Sequence, residues 1–255
     1  MEPWRTSIVD HDEEHIWVHG YELTKLMQQM TFGEMVFLLH RGRTPTKAEG
    51  RLLDAILVSG ADHGPGAPSC ATARLAASGN RGCLSAAIAA GVLAIGNEHG
   101  GAGKACMELI AKDVALARSQ SIPIAEAARR TVEEAKAQNR RLPGLGHRTH
   151  SVDPRTAVLF SMARESNLSG AGVEFMLALQ EAAGAIIKPL PVNVDGALAA
   201  VLFDLGFPPV FGQTVFIIAR VAGLAAEVAE ELTREKAMRV HIPVVYDGPP
   251  PREIG

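Results

Sequence analysis

The chain has 255 residues, 47% of them hydrophobic but only 5% aromatic, which is long enough for one or two domains with a substantial core of small, close-packed side chains. A formal charge of -3 with mixed signs gives no electrostatic footprint for nucleic acid or an anionic membrane, and no apolar run reaches the length of a bilayer span. Cys70, Cys83 and Cys106 are odd in number and contain no Cys-x-x-Cys pair, so they indicate neither a disulfide framework nor a zinc knuckle but reduced, cytoplasmic thiols.

Along the chain, Met1-Glu2-Pro3-Trp4-Arg5 runs into the acidic stretch from Asp10 to Glu14, a pattern unlike a signal peptide. Thr31-Phe32-Gly33-Glu34 and Thr46-Lys47-Ala48-Glu49 fit capping boxes, the second leading through Leu52, Leu53, Ile56 and Leu57 to Gly60. Leu84 to Ile95 is an alanine-rich run whose small side chains predict a buried helix at a close crossing, leading into His99. Met107, Leu109, Ile110, Val114 and Leu116 predict the next helix, and Pro123 opens another whose charged face ends near Arg140-Arg141. Pro143-Gly144-Leu145-Gly146 breaks the pattern in a loop, and Asp153-Pro154 starts a further helix. A long helix is expected from Phe211 to Glu231, then a proline-rich tail from Pro243 to Pro251. Only Ile186-Ile187 and Val240 to Tyr246 read as strand-like.

Three islands carry the chemistry: His99-Gly100-Gly101-Ala102, Gly144-Leu145-Gly146-His147-Arg148 and Asn193-Val194-Asp195-Gly196. Two imidazoles and a carboxylate suit reaction at a carbonyl, since a carboxylate moves a proton and an imidazole can hydrogen-bond a developing oxyanion. Each also has a plainer reading: His99 can cap the helix after it, and Asp195 can cap the helix that begins there. Arg140-Arg141 can be a solvated helix end. His147 and His150 stand three apart, but without a supporting cysteine or acidic cluster they do not make a metal site. His63 precedes Cys70 by seven residues, where a small buried thiol is the simpler reading than a nucleophile. No Walker A or Rossmann glycine pattern is present.

These islands, in this order, resemble the active-site segments of the citrate synthase superfamily. The resemblance covers most of the chain: Trp4, Thr6, Ile8, His19-Gly20-Tyr21, Phe32, Glu34, Leu38-Leu39 and Pro45-Thr46 look like its opening helices, and Ala61-Asp62-His63-Gly64-Pro65 like its next landmark. Gly64-Pro65 departs from ordinary citrate synthases, which usually have glutamate after Asp-His and then an Asn-Ala-Ser-Thr run. It is similar instead to stand-alone citryl-CoA lyases and the carboxyl-terminal module of ATP-citrate lyase, as is the short length.

The resemblance implies an all-α, citrate synthase-like fold, with a large helical domain (1–111 and 208–255), a small one (112–207) and a cleft between them. It implies His99, His147 and Asp195 as catalytic residues: His99 at the thioester oxygen, His147 at the hydroxyl of citryl-CoA, and Asp195 moving the α-proton of the acetyl group. Arg148, Arg155, Arg220 and His63 would bind substrate, and Arg239, or His241, would reach the site of a partner copy in a homodimer. Leu145, Gly146, Arg140, Arg141 and Lys188 would meet coenzyme A, a substrate rather than a resident cofactor; no metal is implied. The expected reaction is cleavage of citryl-CoA to acetyl-CoA and oxaloacetate, with a separate enzyme forming citryl-CoA. The alternatives are a short citrate or 2-methylcitrate synthase and a non-catalytic CoA-binding relative.

Overall fold

A computed structural model describes residues 2–146 and 153–253, and over these the chain is mostly helical. It begins, however, with extended elements. β1 (Val9–His11), β2 (Ile16–Val18) and β3 (Tyr21–Glu22) form an antiparallel sheet in that order, with Val9 opposite Val18 and Trp17 opposite Glu22. Asp12 closes the first turn by accepting the N–H groups of Glu14 and His15 at 2.8 and 2.7 Å. This corrects the expectation of helices from Trp4 to Tyr21: β-branched Val9, Ile16 and Val18 suit a ladder, and Asp12 stabilises a turn instead of a helix.

The sheet leads into α1 (Leu23–Gln29), α2 (Phe32–Arg41) and α3 (Lys47–Gly60). Both expected capping boxes form: Thr31 and Glu34 open α2, and Thr46 and Glu49 open α3. Glu49 also receives both terminal nitrogens of Arg43, at 2.6 and 3.0 Å. The bonds from Arg43 are the leading cause that holds its carboxyl down at about 2.

α4 (Pro68–Gly79) and α5 (Leu84–Leu93) cross closely against α11 (Phe211–Arg234). Gly91 makes the contact possible, since a Cβ there would lie 2.9 Å from the Leu224 methyls and from the Ser69 carbonyl oxygen. Yet only Ala87 and Gly91 of α5 are buried, while Leu84 and Leu93 are 52% and 85% exposed. The buried helix expected from the sequence is thus buried along one stripe only.

The main core joins α2 and α3 to α6 (Ala102–Gln120), α7 (Ile124–Ala137), α8 (Pro154–Glu165), α9 (Ala171–Ile186), α10 (Val194–Asp204) and the first half of α11. α10 is buried from Gly196 to Leu202, so its first turn is presented from a fixed support. Asp204 at its far end accepts the N–H groups of Gly170, Gly172 and Val173, capping α9 from a distance. Ile186, expected in a strand, ends α9, with Ile187 as its C-cap. Val240 to Tyr246 pairs with no strand among the described residues; Pro243 interrupts it, and Val244 and Val245 are largely exposed.

The C-terminal segment is tied down by charge. Glu231 is fully buried and sits between Arg74 of α4, at 3.0 Å, and Arg239, at 2.5 Å, while Glu227 takes another nitrogen of Arg74 at 2.5 Å.

Candidate functional site

A cleft of about 510 Å³ brings together five residues singled out by sequence: His63, His99, Arg155, Asp195 and Arg220. Its lining includes the starts of four helices, at Ala67-Pro68 of α4, Gly100 and Ala102 of α6, Arg155 of α8, and Val194-Asp195 of α10. The positive ends of these helix dipoles converge on the cleft, which favours an anionic ligand, while Asp153 and Asn193 already accept N–H groups at the starts of α8 and α10. Two guanidiniums, Arg155 and Arg220, line the cleft beside two carboxylates, Glu98 and Asp195.

His99 does not cap α6, whose N-cap is Gly101. It sits in a turn closed by the bond from Gly96 N–H to its own carbonyl, at 2.9 Å. Its Nε2 lies 2.8 Å from Ser69 Oγ, and the Ser69 N–H is directed at the same nitrogen at 3.4 Å. Since the amide can only donate, Nε2 is the acceptor and Nδ1 carries the ring proton. Burial, then the charge of Arg220 and the neighbouring His63, push the His99 pKa down, favouring a neutral imidazole. The result is a neutral ring with one fixed donor.

Arg220 is 3% exposed on α11. Its Nε donates to the Gly60 carbonyl at 3.1 Å, Nη1 donates to Ser69 Oγ at 3.3 Å, and its guanidinium lies 4.7 Å from the centre of the Phe216 ring. Among the described residues its hydrogen-bond partners are neutral, and the Asp62 carboxylate feels its charge, so a ligand carboxylate would meet a buried guanidinium. Arg155 is held differently: Asp153 accepts its Nε and Nη2 at 3.0 and 2.9 Å, and its backbone N–H at 3.1 Å.

Asp195 is not the cap of α10 either. That role belongs to Asn193, which accepts the Gly196 N–H at 3.1 Å and leaves Asp195 in the first turn, facing the cleft. Asp153 also accepts the Val194 N–H at 3.0 Å, so α8 and α10 start from one buried carboxylate. Beneath this turn is Cys106, whose thiol is pushed up by burial and by the charge of Asp195.

A second cleft, of about 690 Å³, gathers Arg140, Arg141, Leu145, Gly146 and Lys188, the residues expected at coenzyme A. The loop lining it joins the start of α10 through an isolated bridge between Leu145 and Val192. Gly144, at φ +80°, permits that approach: a Cβ there would lie 2.7 Å from Cys106 Sγ and 2.8 Å from the Gly196 α-carbon.

His147, Arg148 and His150 lie outside the described residues. Arg239 does not line the cleft; it pairs with Glu231 and Glu235 of its own chain, and His241 is exposed. Cys70 donates its thiol hydrogen to Asp62 at 3.2 Å, and burial followed by Asp62 raises its pKa, so it is no thiolate nucleophile beside His63. Asp62, Cys70 and Glu227 lie close enough to surround an ion, but Glu227 is already paired with Arg74. Sequence reasoning missed Ser69, Phe216 and Asp153 as site-builders. Phe216 was legible four residues before Arg220 on one helix face, whereas Ser69 meets His99 from thirty positions away.

A family model described as the C-terminal domain of citrate synthase matches residues 41–241. The citryl-CoA lyase from Hydrogenobacter thermophilus is 37% identical, with a TM-score of 0.91, over 100% of this chain and 98% of that one. ATP citrate lyase from Methanothrix soehngenii, solved with citrate and coenzyme A, shares the fold at 22% identity and a TM-score of 0.77, over 97% of this chain and 43% of that one. The citrate synthase of Heyndrickxia coagulans is 27% identical over 237 residues, 91% of this chain but 60% of its own length, so the chain spans under two thirds of that curated relative. By the family match across residues 41–241, the chain belongs to the citrate synthase family.

Proposed function

We propose that this chain is a citryl-CoA lyase, cleaving citryl-CoA to acetyl-CoA and oxaloacetate. The observation that carries the reading is the likeness to the Hydrogenobacter citryl-CoA lyase across essentially the full length of both chains. The cleft supports it: citryl-CoA brings carboxylates, and four helix starts with Arg155 and the buried Arg220 meet them.

In the cleavage direction, His147 takes the hydroxyl proton and the new carbonyl of oxaloacetate forms as the carbon–carbon bond breaks. The electron pair passes to the acetyl fragment as an enolate, whose oxygen takes a hydrogen bond from His99 Nδ1–H. One such preorganised donor contributes about 2.7–4 kcal/mol at an oxyanion. Asp195, protonated at that stage, delivers its proton to the terminal carbon. The roles of His147 and of Arg148 as a carboxylate ligand rest on the family resemblance, with His63 a further contact to substrate from the cleft wall.

In this reading the second cleft takes the nucleotide end of coenzyme A, a substrate rather than a bound cofactor, with Arg140, Arg141 and Lys188 facing phosphates beside Leu145 and Gly146. Residues 112–207 close as a smaller unit onto the rest and exclude water. Exposed apolar side chains at the two ends of α5, Leu84 and Leu93, are where two copies meet as a homodimer, and Arg239 or His241 approaches the neighbour's cleft. The free cysteines fit a cytoplasmic protein supplied with citryl-CoA by another enzyme. Among the described residues, no helix is long and apolar enough to cross a membrane.

A short citrate synthase is the competing reading, favoured by the Heyndrickxia relative. Parallel assays separate them: oxaloacetate release from citryl-CoA through coupled malate dehydrogenase, and free thiol release from acetyl-CoA plus oxaloacetate. Rapid oxaloacetate release with little free thiol establishes the lyase, efficient thiol release makes it a synthase, and silence in both removes the catalytic reading for these substrates.

A further inference from the structure

Asn193 links the loop that lines the second cleft to the first turn of α10, which lines the first. Its backbone N–H donates to the Gly144 carbonyl at 3.0 Å, its Nδ2 donates to the Gly146 carbonyl at 2.8 Å, and its Oδ1 accepts the Gly196 N–H at 3.1 Å. Only one orientation of the amide satisfies both side-chain partners, because the carbonyl needs a donor and the N–H an acceptor. Capping alone does not call for asparagine, since aspartate caps a helix equally well. What asparagine adds is a donor on the far side of the same rigid plane.

The two ends of that plane touch different places. Gly146 lines the second cleft, while Gly196 follows Asp195, which lines the first. The loop is further pinned by Gly146 N–H donating to the Pro191 carbonyl at 2.7 Å, and α10 is buried from Gly196 onward. A displacement of the loop is therefore taken up in the first turn of α10, where Asp195 sits.

We propose that Asn193 is a positioning residue through which occupancy of the second cleft sets the placement of Asp195 in the first. The inference rests on the citryl-CoA reading and adds how the remote end of the substrate acts on the chemistry: binding energy gained at the nucleotide end is expressed in kcat and not only in affinity.

The test compares citryl-CoA with the citryl thioester of N-acetylcysteamine, which lacks the nucleotide. In the wild type, truncation should lower kcat about tenfold or more, beyond any rise in KM. Asn193→Asp keeps the cap but turns an acceptor toward the Gly146 carbonyl, and Asn193→Ser keeps a capping oxygen but is too short to span both partners. In both variants kcat with citryl-CoA should fall to near the truncated substrate's value, shrinking the truncation penalty to about threefold or less, with the truncated substrate little affected. A structural defect would lower both substrates alike. Equal loss on both, a penalty unchanged in folded variants, or no kcat penalty in the wild type overturns the coupling. A wild type that cleaves neither thioester and shows no heat of coenzyme A binding overturns the citryl-CoA reading itself, and the coupling with it.

Discussion

At the residue scale, one amide and one hydroxyl decide what His99 can do. The Ser69 N–H fixes Nε2 as acceptor, and its Oγ lies between His99 and Arg220, so Ser69→Ala should leave the fold intact while loosening both. We expect about a tenfold loss in kcat, read in steady-state cleavage of citryl-CoA, with melting temperature little changed. In the proposed mechanism Asp195→Asn removes the proton carrier and should cost about 10²–10⁴-fold in kcat while coenzyme A binding, measured by calorimetry, persists. The sequence islands made His99 and Asp195 visible because each stands before a glycine, Gly100 and Gly196, in motifs that resemble the family's active-site segments. Ser69 was not legible, since nothing within its own stretch from Ala67 to Cys70 announces a partner thirty residues away. Nor could local pattern decide which of Asn193 and Asp195 caps α10, because either side chain caps well and only the three-dimensional register of the turn tells them apart.

Among the elements, those with their own start signals were the readable ones. Thr31 to Glu34 and Thr46 to Glu49 close capping boxes by contacts within four residues, and Asp153-Pro154 opens α8 as written. The β1–β3 sheet was missed because its pairing is set by turn contacts at Asp12 and not by a long alternating run. α5 was misjudged because small apolar residues all round do not say which stripe meets a neighbour. Gly91 marks that stripe, so Gly91→Val should force apart α4, α5 and α11 and destabilise the protein by about 1–3 kcal/mol in urea unfolding. The start of α3 also carries a pH signature. Glu49, usually at 4.5, is held at about 2, chiefly by Arg43, so its contribution is full above the usual value and lost as pH falls toward about 2. Arg43 is nearly half exposed, so screening reduces this contribution to about 1–2 kcal/mol. Acid titration of stability should show that loss in the wild type and a flatter profile in Glu49→Gln.

For the whole molecule, α11 links the chemistry to the C-terminal segment. Its first half presents Phe216 and Arg220 to the cleft, and its last turns hold Glu227 and Glu231 against Arg74 of α4, the helix that carries Ser69. The ion network thus braces the Ser69–Arg220 contact from the far end of two helices. Removing the buried Glu231 charge by Glu231→Gln leaves Arg74 and Arg239 undercompensated and should cost about 3–5 kcal/mol, seen as a lowered thermal midpoint. The helical architecture and the two groups of residues that line the clefts were legible through the family resemblance, which orders the motifs along the chain. Arg239 was assigned to a partner copy's site through the family resemblance; within its own chain it pairs with Glu231 and Glu235.

The most direct measurement is cleavage of citryl-CoA in deuterium oxide by wild type and Asp195→Asn, with acetyl-CoA followed by mass spectrometry. If Asp195 delivers a solvent-exchangeable proton to an enolate held by His99, the wild type yields acetyl-CoA carrying one deuterium in its methyl group, and the variant forms it about 10²-fold more slowly or worse. Failure of the wild type to form acetyl-CoA, or a variant as fast as the wild type, would contradict the account.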